Sequence, residues 1–410
     1  MRAATLLIGI ALVAPARGDD WPQWLGAKRD GSTAEKIAPW TGELKNTWRK
    51  PVGEGNSSPI VADGKVFLHT KVKDKDVEMV QAYDARSGDI LWEKTYDKAK
   101  FKPLFGEGPR STPAVSGDKL FTYGNTGVLS CWNTADGKLN WQKDLLMEFK
   151  EANLFFGVSC SPIVIDDQVL VMTGKGKTGI VACSVKDGSV TWKASGDPAS
   201  YSSPIVVGEG DKRQIIYLTG AHLLALSPKG DVLWSQPFVD ALSESSTTPV
   251  KVNDLVIASS VKAGAVGYKL TEKDGKPAVE QAWKNPELTC YFSTPVQMAK
   301  DHVYMVTGVA SLTGASITLR CVEASTGKEV WNKPKMGKFH AAILKTGDGN
   351  LLLHDDAGNL ILLAPEVKEY KELARAKVCG ETWAHPAIAN GRVYVRDGKE
   401  LSCYEMPVGK

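Results

Sequence analysis

Charge of one sign is not in excess in this chain: Lys and Arg number 50 against 47 Asp and Glu, and no acidic or basic tail is present. That balance leaves no electrostatic case for nucleic acid as a partner. Low-complexity runs are also missing, and 43% of residues are hydrophobic, which excludes a disordered chain. Beyond the apolar run Ala3 to Ala14, which is too short to span a bilayer, no stretch could cross a membrane. A sustained helical period is absent, and so are Gly-x-Ser-x-Gly and Cys-x-x-Cys-His. A helical bundle, a nucleophile elbow and an attached haem therefore find no support. No run of spaced oxygen ligands marks a Ca²⁺ site, and no metal site is expected.

What is present begins with an export signal. Arg2, the apolar run and Pro15-Ala16-Arg17-Gly18 precede Asp19-Asp20, the layout of a cleavable secretory peptide over residues 1–18. Its removal takes away Arg2 and Arg17 and lowers the formal charge from +3 to +1. The first cysteine is Cys131, so none lies near the expected cleavage site to carry a lipid. A soluble, monomeric protein of the periplasm or extracellular space is expected. The seven cysteines are expected to be free thiols. Cys131, Cys183, Cys321 and Cys403 hold one register in different repeats, too far apart for the Cα separation of about 4.4 to 6.8 Å that a bridge needs. Cys160, Cys290 and Cys379 fall in units that are not neighbours.

The repeat itself is a Ser/Thr-Pro pair recurring at intervals of 42 to 54 residues: Ser58-Pro59, Thr112-Pro113, Ser161-Pro162, Ser203-Pro204, Thr248-Pro249 and Thr294-Pro295. Each is answered by a tryptophan, in turn Trp92, Trp141, Trp192, Trp234, Trp283 and Trp331. In the first unit Ile60-Val61-Ala62, the turn Asp63-Gly64 and Val66 to Thr70 read as a tight hairpin. A third run ends at Tyr83, and Gly88 supplies the positive φ of the turn into a fourth strand at Ile90. One four-stranded sheet cannot bury both faces, so the units must stack around an axis. The large indoles can wedge between neighbouring units and send their N–H to a neighbouring carbonyl.

Six clear units, a seventh near 338–377 and a three-stranded eighth at 379–406 make an all-β, eight-bladed propeller of four-stranded antiparallel blades. The segment Leu44 to Arg49, with Trp48, is expected to complete the eighth blade and close the ring. Residues 19–43 are then an extension packed on the propeller of residues 44–410. The segment Asp144 to Glu151 reads either as a short helix over the channel mouth or as a surface turn.

The element running from Ala82-Tyr83-Asp84 to Trp92, and again from Cys321-Val322-Glu323 to Trp331, resembles the tryptophan-docking motif of the pyrroloquinoline-quinone (PQQ) repeat propellers. Trp21-Pro22-Gln23-Trp24-Leu25-Gly26 with Arg29-Asp30-Gly31 resembles the leader of exported bacterial PQQ-like propellers. That family includes quinoprotein dehydrogenases and the non-enzymatic scaffold of outer-membrane assembly. The resemblance gives Trp48, Trp92, Trp141, Trp192, Trp234, Trp283 and Trp331 a structural docking role. The dehydrogenases share a vicinal Cys-Cys disulfide over the quinone, which this chain lacks. No catalytic residue is assigned and no cofactor is expected, although PQQ with Ca²⁺ is the cofactor the family resemblance would imply.

Side chains just ahead of each Pro are the natural lining of the channel mouth. They are Glu54 and Asn56; Glu107 and Arg110; Phe155, Phe156 and Ser159; Tyr201 and Ser202; Glu244 and Ser245; Tyr291 and Phe292; Lys338 and His340; Glu381, Trp383 and His385. The binding set drawn from them is Glu54, Glu107, Arg110, Tyr201, Glu244, Tyr291, His340, Trp383 and His385, whose aromatic faces suit a planar or sugar-like ligand. Such residues also cap strand ends in propellers without a ligand. Arg110 either fixes a carboxylate or pairs with Glu107. His340 and His385 are two ligands without a third. The expected function is an exported, non-catalytic binding or assembly scaffold with a protein or extracellular polymer as partner. The alternative is a PQQ-dependent oxidoreductase acting on an alcohol or sugar.

Overall fold

A computed structural model describes residues 20–176, 178–299, 301–309 and 314–409; the expected export signal at 1–18 lies outside them. Eight four-stranded antiparallel sheets follow one another along the chain. The first blade is Ile60–Ala62, Lys65–Lys71, Val77–Asp84 and Ile90–Asp97, running from the axis outward. Its first hairpin turns on Asp63 and Gly64, whose φ of 49° and 73° match the twist of the flanking strands.

The eighth blade takes Ala387–Ala389, Arg392–Arg396 and Glu400–Glu405 from the end of the chain and Asn46–Pro51 from its beginning. Trp48 faces Cys403 across that last pair, so the two ends of the chain close the ring. The seventh blade, Ala341–Lys345, Leu351–Asp355, Asn359–Leu363 and Glu372–Lys377, is complete although it lacks the Ser/Thr-Pro pair and the repeat tryptophan. All seven cysteines are free thiols, and all but Cys379 are buried.

The recurrent Ser/Thr before Pro ties blade to blade around the axis. The backbone N–H of Ser58 donates to the Thr112 hydroxyl (3.2 Å), that of Thr112 to Ser161 (3.0 Å) and that of Ser161 to Ser203 (2.9 Å). Thr248 donates to Thr294, and His385, standing where the eighth blade has lost its Ser/Thr, donates to Ser58. A hydroxyl at this position thus satisfies a buried N–H that an aliphatic residue would leave unpaired.

On the outer wall, each of five tryptophans lies flat on the turn glycine of the next blade. A Cβ at Gly88 would sit 2.6 Å from the Trp48 ring, and one at Gly327 would sit 2.4 Å from Trp283. Gly137, Gly188 and Gly230 lie likewise on Trp92, Trp141 and Trp192. The indoles of Trp48, Trp92, Trp141 and Trp283 donate to the carbonyls of Ala85, Thr134, Val185 and Ala324 in the following blade.

Three others differ from the expectation of a bond to a neighbouring carbonyl. Trp192 donates to Gln168 of its own blade, because the turn it covers, Ser227 to Gly230, is one residue shorter than Asp84 to Gly88. Trp234 donates to Gln214 of its own blade, because the fifth blade replaces the glycine turn with the long hairpin Gly264–Lys273 and Lys276–Asn285. Trp331 meets Tyr304 and Tyr370 edge-on instead, and its buried N–H has no partner among the described residues.

Candidate binding site at the channel mouth

Residues 20–43 carry no strand of the ring, yet two tryptophans and an arginine within them are drawn to its axis. Trp21 exchanges backbone hydrogen bonds with Val61 of the first blade, and Val115 of the second donates to Pro22. Thr33 and Gly31 bond Lys345 of the seventh, and Ala38 bonds Pro407 beyond the eighth. Arg29 is buried and donates to the carbonyls of Pro204 (2.8 Å), Pro162 (3.0 Å) and Ser161 (3.3 Å), at the starts of innermost strands of the fourth and third blades. Burial holds its guanidinium down to about 10. The Trp24 indole donates to Thr248 of the fifth blade (2.8 Å) and lies 4.3 Å from the His385 ring of the eighth. The segment therefore crosses the axis from the far end and stops inside the ring.

Above it lies the mouth, where the chain enters each innermost strand. A cavity of about 130 Å³ opens there, with Trp24 and His385 as floor. Its wall is a succession of rings. Tyr291 stacks on Phe292 (3.8 Å) and Phe292 on Trp383 (5.4 Å); Trp383 meets Phe105 (5.7 Å), Phe105 meets Phe156 (6.0 Å) and Phe156 meets Tyr201 (5.6 Å). Glu244 fills the gap between Tyr201 and Tyr291, accepting a short hydrogen bond from the Tyr291 hydroxyl. Burial, with Glu244 alongside, holds that phenol well above its usual range, so it stays a donor.

The residues expected at the mouth divide. Arg110, Tyr201, Glu244, Tyr291, Trp383 and His385 line this cavity. Glu54 and Glu107 do not. They flank the buried Lys71 at 3.1 and 3.3 Å, in a separate groove of mixed charge. His340 lies behind His385, ring centres 5.1 Å apart, and its Nδ1 faces the Ser293 hydroxyl at 3.4 Å.

Burial depresses His340 to about 4 and His354, beside Cys379, to about 3, and drives His385 well below its ordinary value. These are neutral imidazoles. Among the described residues, no three His, Cys, Asp or Glu side chains are grouped to hold a metal ion.

Arg110 takes neither of its expected partners. Its guanidinium donates to the carbonyls of Phe156, Leu104, Phe105 and Gly106, and burial lowers it to about 10. It is a pin for two mouth loops. Leu145–Phe149 forms a one-turn helix that buries Leu145 and Leu146 and leads into the loop carrying Phe155 and Phe156.

Trp24, Phe105, Ser161, Ser203 and Ser246 also line the cavity but escaped the sequence reading. Tryptophans in a segment without strand period were the available signal for Trp24, since an indole is highly buried on average. Phe105 stands eight residues ahead of Pro113, beyond the stretch next to Pro.

PQQ is a planar tricarboxylate and needs cationic partners. The guanidinium lining this mouth has both terminal nitrogens turned to backbone carbonyls, and the lining carboxylate, Glu244, opposes a polyanion. The quinone does not fit these residues.

Comparison with known proteins agrees with the architecture. The family described as outer membrane protein assembly factor BamB matches residues 36–99 and 76–331. The BamB of Yersinia pestis is 28% identical over 241 residues, 57% of this chain and 56% of that protein, so the match spans little more than half of the relative. Among solved structures, BamB from Moraxella catarrhalis superposes with a TM-score of 0.60 at 16% identity, over 89% of this chain and 98% of that one. A quinohemoprotein alcohol dehydrogenase from Comamonas testosteroni superposes with a TM-score of 0.67 at 13% identity, over 96% of this chain and 82% of that one. At such identities the structural likeness speaks to the fold alone. With its family match covering most of the ring, the chain belongs to the PQQ-like propeller family described as outer membrane protein assembly factor BamB.

Proposed function

We propose that the protein is an exported, non-catalytic scaffold that serves outer-membrane protein assembly from the periplasm and meets a polypeptide partner with its mouth face. The observation that carries this reading is where the apolar surface lies. Leu104 (60% exposed), Phe105 (49%), Met147 (75%), Phe155 (62%), Val239 (65%) and Leu242 (44%) all sit in connections between blades, which open on the mouth. Exposed apolar side chains on loops that share one face fit an interaction site. The name of the matched family supplies the process, and the mouth supplies the surface.

In-cell photo-crosslinking tests this. A benzophenone side chain at Phe155 or Leu242 is expected to join an outer-membrane protein precursor or a component of the assembly machinery. The same probe at Leu91 or Val330, exposed on outer strands, is expected to join neither. Adducts from the outer strands alone would overturn the assignment of the face. Unchanged levels of folded outer-membrane β-barrels in cells lacking the protein would overturn the process.

A further inference from the structure

The mouth carries a carboxylate that the fold does not use up, and it stands among aromatic faces. The Tyr291 hydroxyl donates to one oxygen of Glu244, and the other oxygen has no partner among the described residues. A carboxylate has about four lone-pair sites, so this one keeps capacity for a forked donor. On the side of Tyr291 the wall continues as the stacked Phe292 and Trp383, with interplanar angles of 21° at both steps. On the other side stands Tyr201.

Charge decides between ligand classes. An anion would need a free cation, but Arg110 turns both terminal nitrogens of its guanidinium to backbone carbonyls of the wall. Arg29, beneath the floor, is held in the same way. A neutral sugar could meet Asn56, Ser246 and His385 in the lining, but it would leave the Glu244 carboxylate without a counter-charge. The Trp24 N–H is taken by Thr248, while His385 beside it brings two ring nitrogens with no partner among the described residues. A ring face attracts cations through its quadrupole. A carboxylate beside stacked rings fits a planar cation better than a compact ammonium, because a guanidinium can lie along a ring while its fork meets the two oxygens.

We infer that the cavity holds a guanidinium, the arginine side chain of a polypeptide seated on the mouth face, with Glu244 as its acceptor and Trp383, Phe292 and Tyr291 as its stacking wall. The inference rests on the mouth being the contact face, and it names what that face recognises. An aliphatic stem lying against Phe105 would complete the fit, because that ring is apolar and half exposed.

The test uses the purified exported protein and calorimetric titration with three blocked tripeptides, Gly-Arg-Gly, Gly-Lys-Gly and Gly-citrulline-Gly, and with arginine amide. Citrulline keeps the shape of arginine and removes the charge. The expected order is arginine tightest, lysine weaker, and citrulline weaker by at least about tenfold, the loss of one charge-assisted hydrogen bond. Glu244→Gln should weaken the arginine peptide by a similar factor while its melting temperature stays close to that of the parent. If that variant does not fold, Tyr291→Phe, which frees the carboxylate from its anchor, should weaken the same peptide.

Equal binding of citrulline and arginine, no binding of any probe, or an undiminished affinity in Glu244→Gln would overturn the site. Arginine amide binding as tightly as the tripeptide would overturn the polypeptide as occupant. Each of these failures leaves the crosslinking pattern and the outer-membrane protein levels untouched, so the site and the scaffold role fail separately.

Discussion

Around the outer wall one contact recurs, an indole laid on the turn glycine of the next blade, as Trp48 does on Gly88 and Trp283 on Gly327. At the mouth no such recurrence exists: the second blade brings Phe105 and Arg110, the fifth Glu244, the sixth Tyr291 with Phe292, and the eighth Trp383 with His385. Both regions are aromatic, but they spend their aromatics differently. Wall indoles are buried between two blades and their N–H groups are mostly paired. Mouth rings touch one another around an opening and leave faces unpaired. A repeated contact builds the ring, and departure from the repeat marks where the ring can meet something else. The extension at residues 20–43 sharpens the contrast, since it fills the axis from one end and leaves the other end open.

The comparison can be broken first on the wall. Trp283→Ala removes an indole that is 8% exposed and its bond to Ala324, and should cost about 3 to 5 kcal/mol in denaturant unfolding. A loss under about 1 kcal/mol would contradict the wedge. Along the axis, Arg29→Met leaves the carbonyls of Ser161, Pro162 and Pro204 without their donor and should cost about 3 kcal/mol. If stability is unchanged, the extension does not anchor the ring.

A smaller effect is expected from acid. His340 and His354 are held near 4 and near 3 by burial, against about 6.5 in the unfolded chain. Their folded values are depressed, so the unfolded chain takes up protons first. Stability is fully present above pH 6.5 and falls as the pH drops toward 4, by about 1.4 kcal/mol per unit for each histidine. His354→Gln should therefore make the fall between pH 6 and 4.5 shallower, as read from urea midpoints at several pH values. A slope unaffected by that change would show that other groups govern the acid limb.

Blade number, strand order and ring closure were legible because they follow from a period. Ser/Thr-Pro, the turn glycine and the tryptophan each recur at a fixed place in a blade, and Trp48 stood without strands before it. The hydroxyl ties between neighbouring blades were not legible, because a Ser before Pro says nothing of which N–H it will accept. Nor were the indole bonds of Trp192 and Trp234, which turn on a one-residue deletion and on an extended hairpin in the blade that follows.

The candidate site was half legible. Position ahead of Pro found Tyr201, Glu244, Tyr291 and Trp383, since those residues belong to the repeat frame. It also drew in Glu54 and Glu107, which the long side chain of Lys71 diverts to a neighbouring groove. Trp24 and Arg29 lie outside the frame, and a contact between residues 24 and 248 has no signature in the spacing of either.

The contrast between wall and mouth is tested most directly by restoring function to cells that lack the protein. One variant carries Phe155→Glu with Leu242→Glu at the mouth, and the other carries Leu91→Glu with Val330→Glu on the wall; all four positions are exposed, so both variants should fold. The expected result is that the wall variant restores folded outer-membrane β-barrel proteins to the parental level and the mouth variant does not. Full restoration by the mouth variant, at equal abundance in the periplasm, would contradict the account.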